Sequence, residues 1–356
     1  MRAARYYGKR DIRVEDVPIP EPGSNQCLIE IAWCGICGSD LHEYVAGPMG
    51  CPVPERPHPL TGGHIPVTLG HEFCGRIKSA PSGSKFKVGQ AVMADPRVLC
   101  SKCHSCSTGN GHTCDALGFN GISGGTAGGG LSEFAAIDED MLYALPESVD
   151  LDFAALIEPL TVAWHAIKTI NAKIEGLDAL IIGGGPVGYA LACTLRAENV
   201  KSILVSEPTL KRREQAKAVV DKVIDPRSEN VGDVCRSTTG GKGVDLVFDC
   251  AGIQVGLEAA FDAIVRGGYF VNVAVWEVPM SIPFYQFFLK EIKIFSSCCY
   301  NKQDFEDVVR LIGQGKFPGY QNMVTDRISV EDIVSKGFEE LVNNKDDHIK
   351  ILVSPK

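Results

Sequence analysis

Between Cys34 and His42 the chain reads Cys34-Gly35-Ile36-Cys37-Gly38-Ser39-Asp40-Leu41-His42. The glycine-broken segment places a thiol, a hydroxyl and an imidazole within a few residues of one another. A thiolate is a metal ligand. A hydroxyl and an imidazole two and five residues after Cys37 can carry a proton away from an oxygen held on that metal. Alone, the segment proves nothing, because a buried cysteine is usually a small apolar residue. A second fragment, Gly70-His71-Glu72, brings an imidazole beside a carboxylate at a strand end. It offers one ligand and either an alternate ligand or an outer partner for it. Its value depends on meeting Cys37 in space.

A third group is self-sufficient. Cys100, Cys103, Cys106 and Cys114 follow the spacing C-x2-C-x2-C-x7-C. Four thiolates that close in sequence can surround Zn²⁺ tetrahedrally at about 2.3 Å each. The loop between them is polar (Ser101, Lys102, His104, Ser107, Thr108, Gly109, Asn110), which is not how buried apolar cysteines are flanked. An iron–sulfur cluster is the alternative. Four protein ligands leave no open position, so the expected zinc is structural. Of the 14 cysteines, Cys27, Cys51, Cys74, Cys193, Cys235 and Cys250 are scattered and are expected to be buried packing residues.

The fourth feature is Gly183-Gly184-Gly185-Pro186-Val187-Gly188, between the apolar run Ala179-Leu180-Ile181-Ile182 and a helical Tyr189–Glu198 stretch. This is G-x-G-x-x-G in a strand–turn–helix context. Gly183, Gly185 and Gly188 permit a tight turn and close backbone approach to a pyrophosphate, with Pro186 and Val187 opening the helix whose N-terminus faces the phosphates. Glu207 ends the next strand, Ser202–Ser206, about twenty residues on, where the fingerprint expects a ribose-binding carboxylate. That carboxylate favours NAD(H) over a 2′-phosphorylated cofactor. Lys211, Arg212 and Arg213 follow on the next helix; a solvated face is the plain alternative, and Arg212 is carried as a cofactor-binding candidate.

These groups need two scaffolds. The 356 residues suggest two domains, and 45% hydrophobic with 22% charged residues is ordinary for a globular protein. A net charge of −9 without a basic run argues against nucleic acid and against an anionic membrane surface. The first seven residues carry charge without an apolar core behind them, so no signal peptide is expected. The apolar run Ala179–Leu195 is broken by glycines and is too short to span a membrane. The expected location is the cytoplasm.

Up to residue 150 the pattern is short β-runs between turns, including Cys27–Trp33, Lys87–Met93 and Leu131–Ile137, which suggests a β-rich, partly open barrel. Gly121–Gly130 reads as a turn region. His58 and His64 lie in a long Gly/Pro loop and are expected to be polar surface. Asp152–Ile170 reads as a helix broken near Glu158-Pro159, with His165 packed within it. From Leu177 strands and helices alternate, implying a doubly wound parallel sheet. Asp304–Ile312 reads as a helix, and the tail Ile349–Val353 as a strand able to rejoin the first domain. The division expected is 1–158 with 304–356, and 159–303.

Taken in order, Cys37–His42, Gly70-His71-Glu72, the four-cysteine loop, Glu158-Pro159 and Gly183–Gly188 resemble the zinc-dependent medium-chain dehydrogenase/reductase family over nearly the whole chain. Leu41-His42-Glu43-Tyr44 and the Pro57–Gly70 loop resemble, more narrowly, (R,R)-2,3-butanediol dehydrogenases, which also reduce acetoin. The resemblance implies an α/β chain with a GroES-like β-rich catalytic domain and a Rossmann NAD-binding domain. It implies two zinc ions per chain, NAD(H), and a homodimer or homotetramer. The catalytic zinc ligands it implies are Cys37, His71 and Glu158, with Glu72 the alternate. A zinc position left open lowers the pKa of a substrate hydroxyl, hydride passes to the nicotinamide, and Ser39 passes the hydroxyl proton through the nicotinamide ribose towards His42. Sorbitol, xylitol and L-threonine dehydrogenases share this machinery and are the alternatives. A non-catalytic NAD-binding protein on the same fold should lack the ligands found here.

Overall fold

The computed structural model describes residues 1–125 and 128–356. The turn region expected over Gly121–Gly130 is described on both flanks, with positive φ at Gly121, Gly124, Gly125 and Gly128; Thr126 and Ala127 lie outside the described residues. The chain divides into two compact units. One comprises Met1–Glu158, Asn301–Gln314 and Val324–Lys356; the other comprises Pro159–Tyr300 and Gly315–Met323.

The first unit is β-rich. Its larger sheet runs in the order Leu142–Ala144, Ala91–Ala94, Glu72–Ser79, Gln26–Gly35, Lys350–Ser354, Val324–Ser329, with Phe134–Asp138 also paired to Gln26–Gly35. A three-stranded sheet joins Asp11–Asp16, Arg2–Gly8 and Val67–Thr68. Gln26–Gly35 alternates inward Cys27, Ile29 and Ile31 with less buried neighbours, the period-2 pattern of a strand with one face on a core. Register shifts after Leu28 and after Ile31 bend it against Glu72–Ser79. The two strands approach so closely that a Cβ on Gly75 would run into the Glu30 carbonyl. The tail strand pairs antiparallel with the same element, Leu352 opposite Gly35 and Val353 opposite Cys34. Residues far apart in sequence thereby meet at one end of neighbouring strands, just before the Gly38–Ala46 helix begins.

The second unit is a six-stranded parallel sheet in the order Lys222–Ile224, Ser202–Ser206, Asp178–Ile182, Val244–Asp249, Ile264–Asn272, Lys293–Ser296. This is the doubly wound order with its switch point at Asp178–Ile182. All five residues of Asp178–Ile182 are buried, as expected of a parallel strand covered on both faces. The helix after the glycine turn is Pro186–Ala197, with Pro186 at its first position. There the missing N–H would be unsatisfied anyway. The same logic applies at Pro159. The helix expected over Asp152–Ile170 is two pieces, Leu151–Ala154 and Ile157–Lys168, and Pro159 sits in the first turn of the second. Gly315–Met323 packs with the second unit through the buried Tyr320 and Met323, and Gly319 O accepts from the Tyr189 hydroxyl at 3.4 Å. Among the described residues no helix is long and apolar enough to cross a membrane.

Candidate metal and nucleotide sites

Cys37 caps the Gly38–Ala46 helix. Its N–H donates to Asp40 Oδ2 at 3.0 Å, which fixes the cap from within the first turn. His71 and Glu72 open the neighbouring strand, both buried. One ligand atom from each of Cys37, His71 and Glu72 lies within 4.8 Å of the other two. Glu158, the carboxylate expected first, is buried in the opening turn of Ile157–Lys168 and is not one of these three. It nonetheless adds to the negative field at the buried Lys350 ammonium.

The donor set suits a cation. Asp40 is fully buried, and its Oδ1 lies 3.4 Å from His71 Nδ1. That pair falls within ion-pair reach but is not aligned as a hydrogen bond, and both atoms are buried without a hydrogen-bond partner. Burial opposes charge on the His71 ring, yet the Asp40 carboxylate and the Cys37 thiol outweigh it and raise its pKa well above the ordinary value. A metal on Nε2 would satisfy this arrangement: the ring proton would sit on Nδ1 facing Asp40, as metal-bound histidines usually require. Nε2 faces the Ser39 hydroxyl at 3.3 Å. Ser39 and His42 are both exposed and stand three residues apart, neighbours on one helix face. Glu72 has a firm partner of its own. Lys350, 2% exposed, donates from Nζ to both Glu72 oxygens at 2.7 Å and to the Ile36 carbonyl at 3.1 Å.

Neither Asp40 nor Lys350 is singled out by the sequence reasoning. Asp40 had a signal, since it falls at the third helical position after Cys37. Lys350 had none, because it reaches Glu72 only through strand pairing across 278 residues. Cys34, in the opening segment, is fully buried in the core of the first unit.

The four-cysteine loop is built differently. Cys100, Cys103, Cys106 and Cys114 bring their sulfurs within 4.8 Å of one another. The local elements are small, the helix His104–Ser107 and a 3-10 turn Gly111–Thr113. Backbone N–H groups aim at the sulfurs: Cys103 N to Cys100 Sγ at 3.3 Å, and Cys100 N and Ala116 N to Cys114 Sγ at 3.4 Å. The N–H groups of Lys102 and Cys103 pull the Cys100 thiol down to about 6. Of the loop histidines considered as surface groups, His64 is exposed, while His58 is half-buried with Nε2 against Gly118. His165 is buried in its helix.

In the second unit Gly183 adopts φ +96°, and a Cβ on Gly188 would collide with the Gly183 carbonyl. Both positions therefore require glycine. Glu207 is buried at the end of its strand, accepting from Gly184 N and Thr209 N at 2.7 Å each. Arg212 Nη1 lies 3.7 Å from where a Cβ on Gly185 would stand, so a cation flanks the glycine turn. Pro186 and Val187 open the helix that Gly185 caps.

Residues 23–147 match the family model described as alcohol dehydrogenase GroES-like domain, and residues 186–314 the one described as zinc-binding dehydrogenase. The chain is 36% identical to a (R,R)-butanediol dehydrogenase of Neisseria gonorrhoeae, covering 100% of this chain and 99% of that protein. It is 29% identical to a sorbitol dehydrogenase of Bacillus subtilis, covering 100% and 97%. The crystal structure of a 2R,3R-butanediol dehydrogenase from Bacillus subtilis superposes with a TM-score of 0.92 at 33% identity, covering 100% of this chain and 99% of that one. Matched in both units by these family models and over its full length by a relative at 36% identity, this chain belongs to the zinc-dependent medium-chain alcohol dehydrogenase family.

Proposed function

We propose that the chain interconverts (R,R)-2,3-butanediol and acetoin with NAD(H). The observation that carries this is the meeting of Cys37, His71 and Glu72 in a chain matched along its full length by (R,R)-butanediol dehydrogenases. Cys37 and His71 hold the catalytic zinc. Glu158 is the third protein ligand proposed, with Glu72 the alternate; Glu72 keeps lone pairs for a metal even while accepting from Lys350. When bound, zinc polarises the substrate oxygen and NAD takes the hydride. Asp40 fixes the His71 tautomer. Ser39 accepts the substrate hydroxyl proton, and His42, one turn on, passes it to solvent. Cys100, Cys103, Cys106 and Cys114 hold the structural zinc. Gly183, Gly185, Pro186, Val187 and Gly188 take the pyrophosphate, Arg212 neutralises it, and Glu207 binds the adenosine ribose after releasing Gly184 N–H.

We further propose a cytoplasmic homo-oligomer. Lys293–Ser296 is one edge of its sheet, and in the helix just before it in sequence Phe284, Tyr285 and Phe288 are 68%, 76% and 75% exposed. Exposed apolar patches and open sheet edges mark interfaces, and a second copy related by a two-fold axis closes both. Phe288→Asp should lower the mass seen by light scattering to that of one chain.

The substrate is tested by following NADH absorbance with each butanediol stereoisomer, acetoin, sorbitol, xylitol and threonine. (R,R)-2,3-butanediol and acetoin should give the highest kcat/KM. Best turnover of a polyol with the butanediols inert would overturn the substrate choice.

A further inference from the structure

Immediately after the edge strand Lys293–Ser296 come Ser297, Cys298 and Cys299. Successive side chains on an extended chain point to opposite sides. Cys299 breaks that rule with φ +54°, in the left-handed region that a residue with a side chain seldom occupies. As a result the two neighbouring thiols face each other, Sγ to Sγ 3.6 Å. Cys298 is exposed and Cys299 half-buried. Backbone held in such a region persists only where its surroundings enforce it, and it concentrates at functional sites. None of the metal, proton-transfer or phosphate-binding roles above uses this pair.

We propose that Cys298 and Cys299 form an oxidisable dithiol whose closure to a disulfide blocks the nicotinamide half of the nucleotide site. The chemistry suits the geometry. The S–H of Cys299 donates to Cys298, and His165 adds positive field; together they outweigh burial and lower the Cys298 thiol to about 6. A lowered thiol with a partner ready to resolve it is the arrangement typical of redox-sensing cysteines. With a hydroperoxide as oxidant, the Cys298 thiolate attacks the O–O bond, takes one oxygen as a sulfenic acid and releases hydroxide. The sulfur is oxidised by two electrons and the peroxide reduced by two. The Cys299 sulfur then attacks the sulfenic sulfur, the S–S bond forms, and water leaves with the thiol proton. A small dithiol reverses the reaction by exchange.

Position gives the event its consequence. Gly183–Gly188 leaves the carboxyl end of Asp178–Ile182, and the cysteine pair leaves the carboxyl end of Lys293–Ser296 in the same parallel sheet. In doubly wound sheets the dinucleotide lies along those carboxyl ends, one mononucleotide per half. The pair therefore sits on the half opposite the adenosine-binding Glu207. This consequence rests on the nucleotide role proposed above.

The test treats the zinc-loaded enzyme with hydrogen peroxide, with and without saturating NADH. It reads peptide mass after thiol blocking, NADH binding by fluorescence, and zinc content. The peptide bearing residues 298 and 299 should lose two hydrogens. NADH affinity should fall about tenfold or more, zinc content should not change, and a dithiol reductant should restore binding. Bound NADH should slow the reaction. Cys298→Ser and Cys299→Ser should each bind NADH before treatment and lose the response. A pair that stays reduced while other thiols oxidise overturns the proposal. So does disulfide formation with NADH affinity unchanged. If untreated enzyme fails to bind NADH at all, the nucleotide role fails, and the mass signature still decides the dithiol.

Discussion

The two sulfur-bearing sites of the first unit solve the same problem by opposite means. The Cys100–Cys114 loop draws all four donors from fifteen consecutive residues and aligns them with its own backbone N–H groups. The Cys37 pocket draws from a helix cap, a strand start and, through Lys350, the tail strand. The first has small elements and little core beneath it. The second is buried and electrostatically crowded: Asp40, Glu72 and Glu158 surround one lysine and one histidine. A metal in the loop is part of the loop's fold. A metal in the pocket would meet a frame already held by the sheet.

Single substitutions test that contrast. The largest effect is expected from Cys37→Ala. Losing zinc's charge stabilisation, worth several kcal/mol, should lower kcat/KM on the order of 10³-fold or more. Zinc should fall by one ion per chain by metal analysis, with the melting temperature little changed. Next comes Lys350→Met. Removing one partner of a buried ion pair costs about 3–5 kcal/mol, so the urea midpoint should fall steeply. Glu72→Gln in the same chain should restore much of it; if the double variant is no more stable than the single, the pair is not the cause.

Cys103→Ala should show the reverse pattern to Cys37→Ala. One zinc is lost again, but limited proteolysis should now cut first between residues 100 and 114. Equal protease resistance in both variants would erase the distinction between a folding metal and a working one. Asp40→Asn is the finer probe. Outer partners of metal-bound histidines are worth about 10–100-fold in metal affinity or activity, and the loss should show in competition with a zinc chelator. The smallest effect is expected from Cys34→Ala, a packed residue, whose cost of about 1 kcal/mol should appear only in stability.

What the sequence discloses follows the same division. The loop is legible because its donors are adjacent; nothing must fold for the spacing to be seen. The glycine fingerprint is legible because one strand, one turn and one helix suffice, and Glu207 ends the very next strand. In the pocket Cys37 and His71 stand in recognisable fragments, but their meeting depends on pairing Gly35 with Glu72. The choice between Glu72 and Glu158 is less accessible still. Lys350 engages Glu72 only through the pairing of Leu352 with Gly35, between strands more than three hundred residues apart, and no local spacing announces it. The helix break near Pro159 is anticipated, but its form is not: a proline in a first turn starts a helix, and the residues before it made the end.

The Lys350–Glu72 contact also has a consequence in time. The first unit is discontinuous in sequence: the second, residues 159–300 and 315–323, interrupts it twice. During synthesis Glu72 emerges early and waits, as an unpaired acid in a forming core, until nearly 280 further residues have been made. Domains tend to form in order from the N-terminus, so the nucleotide-binding unit can be complete before the strand that closes the metal pocket exists. On the ribosome this chain should therefore pass through a stage in which the second unit is formed while the Cys37 pocket still lacks its lysine.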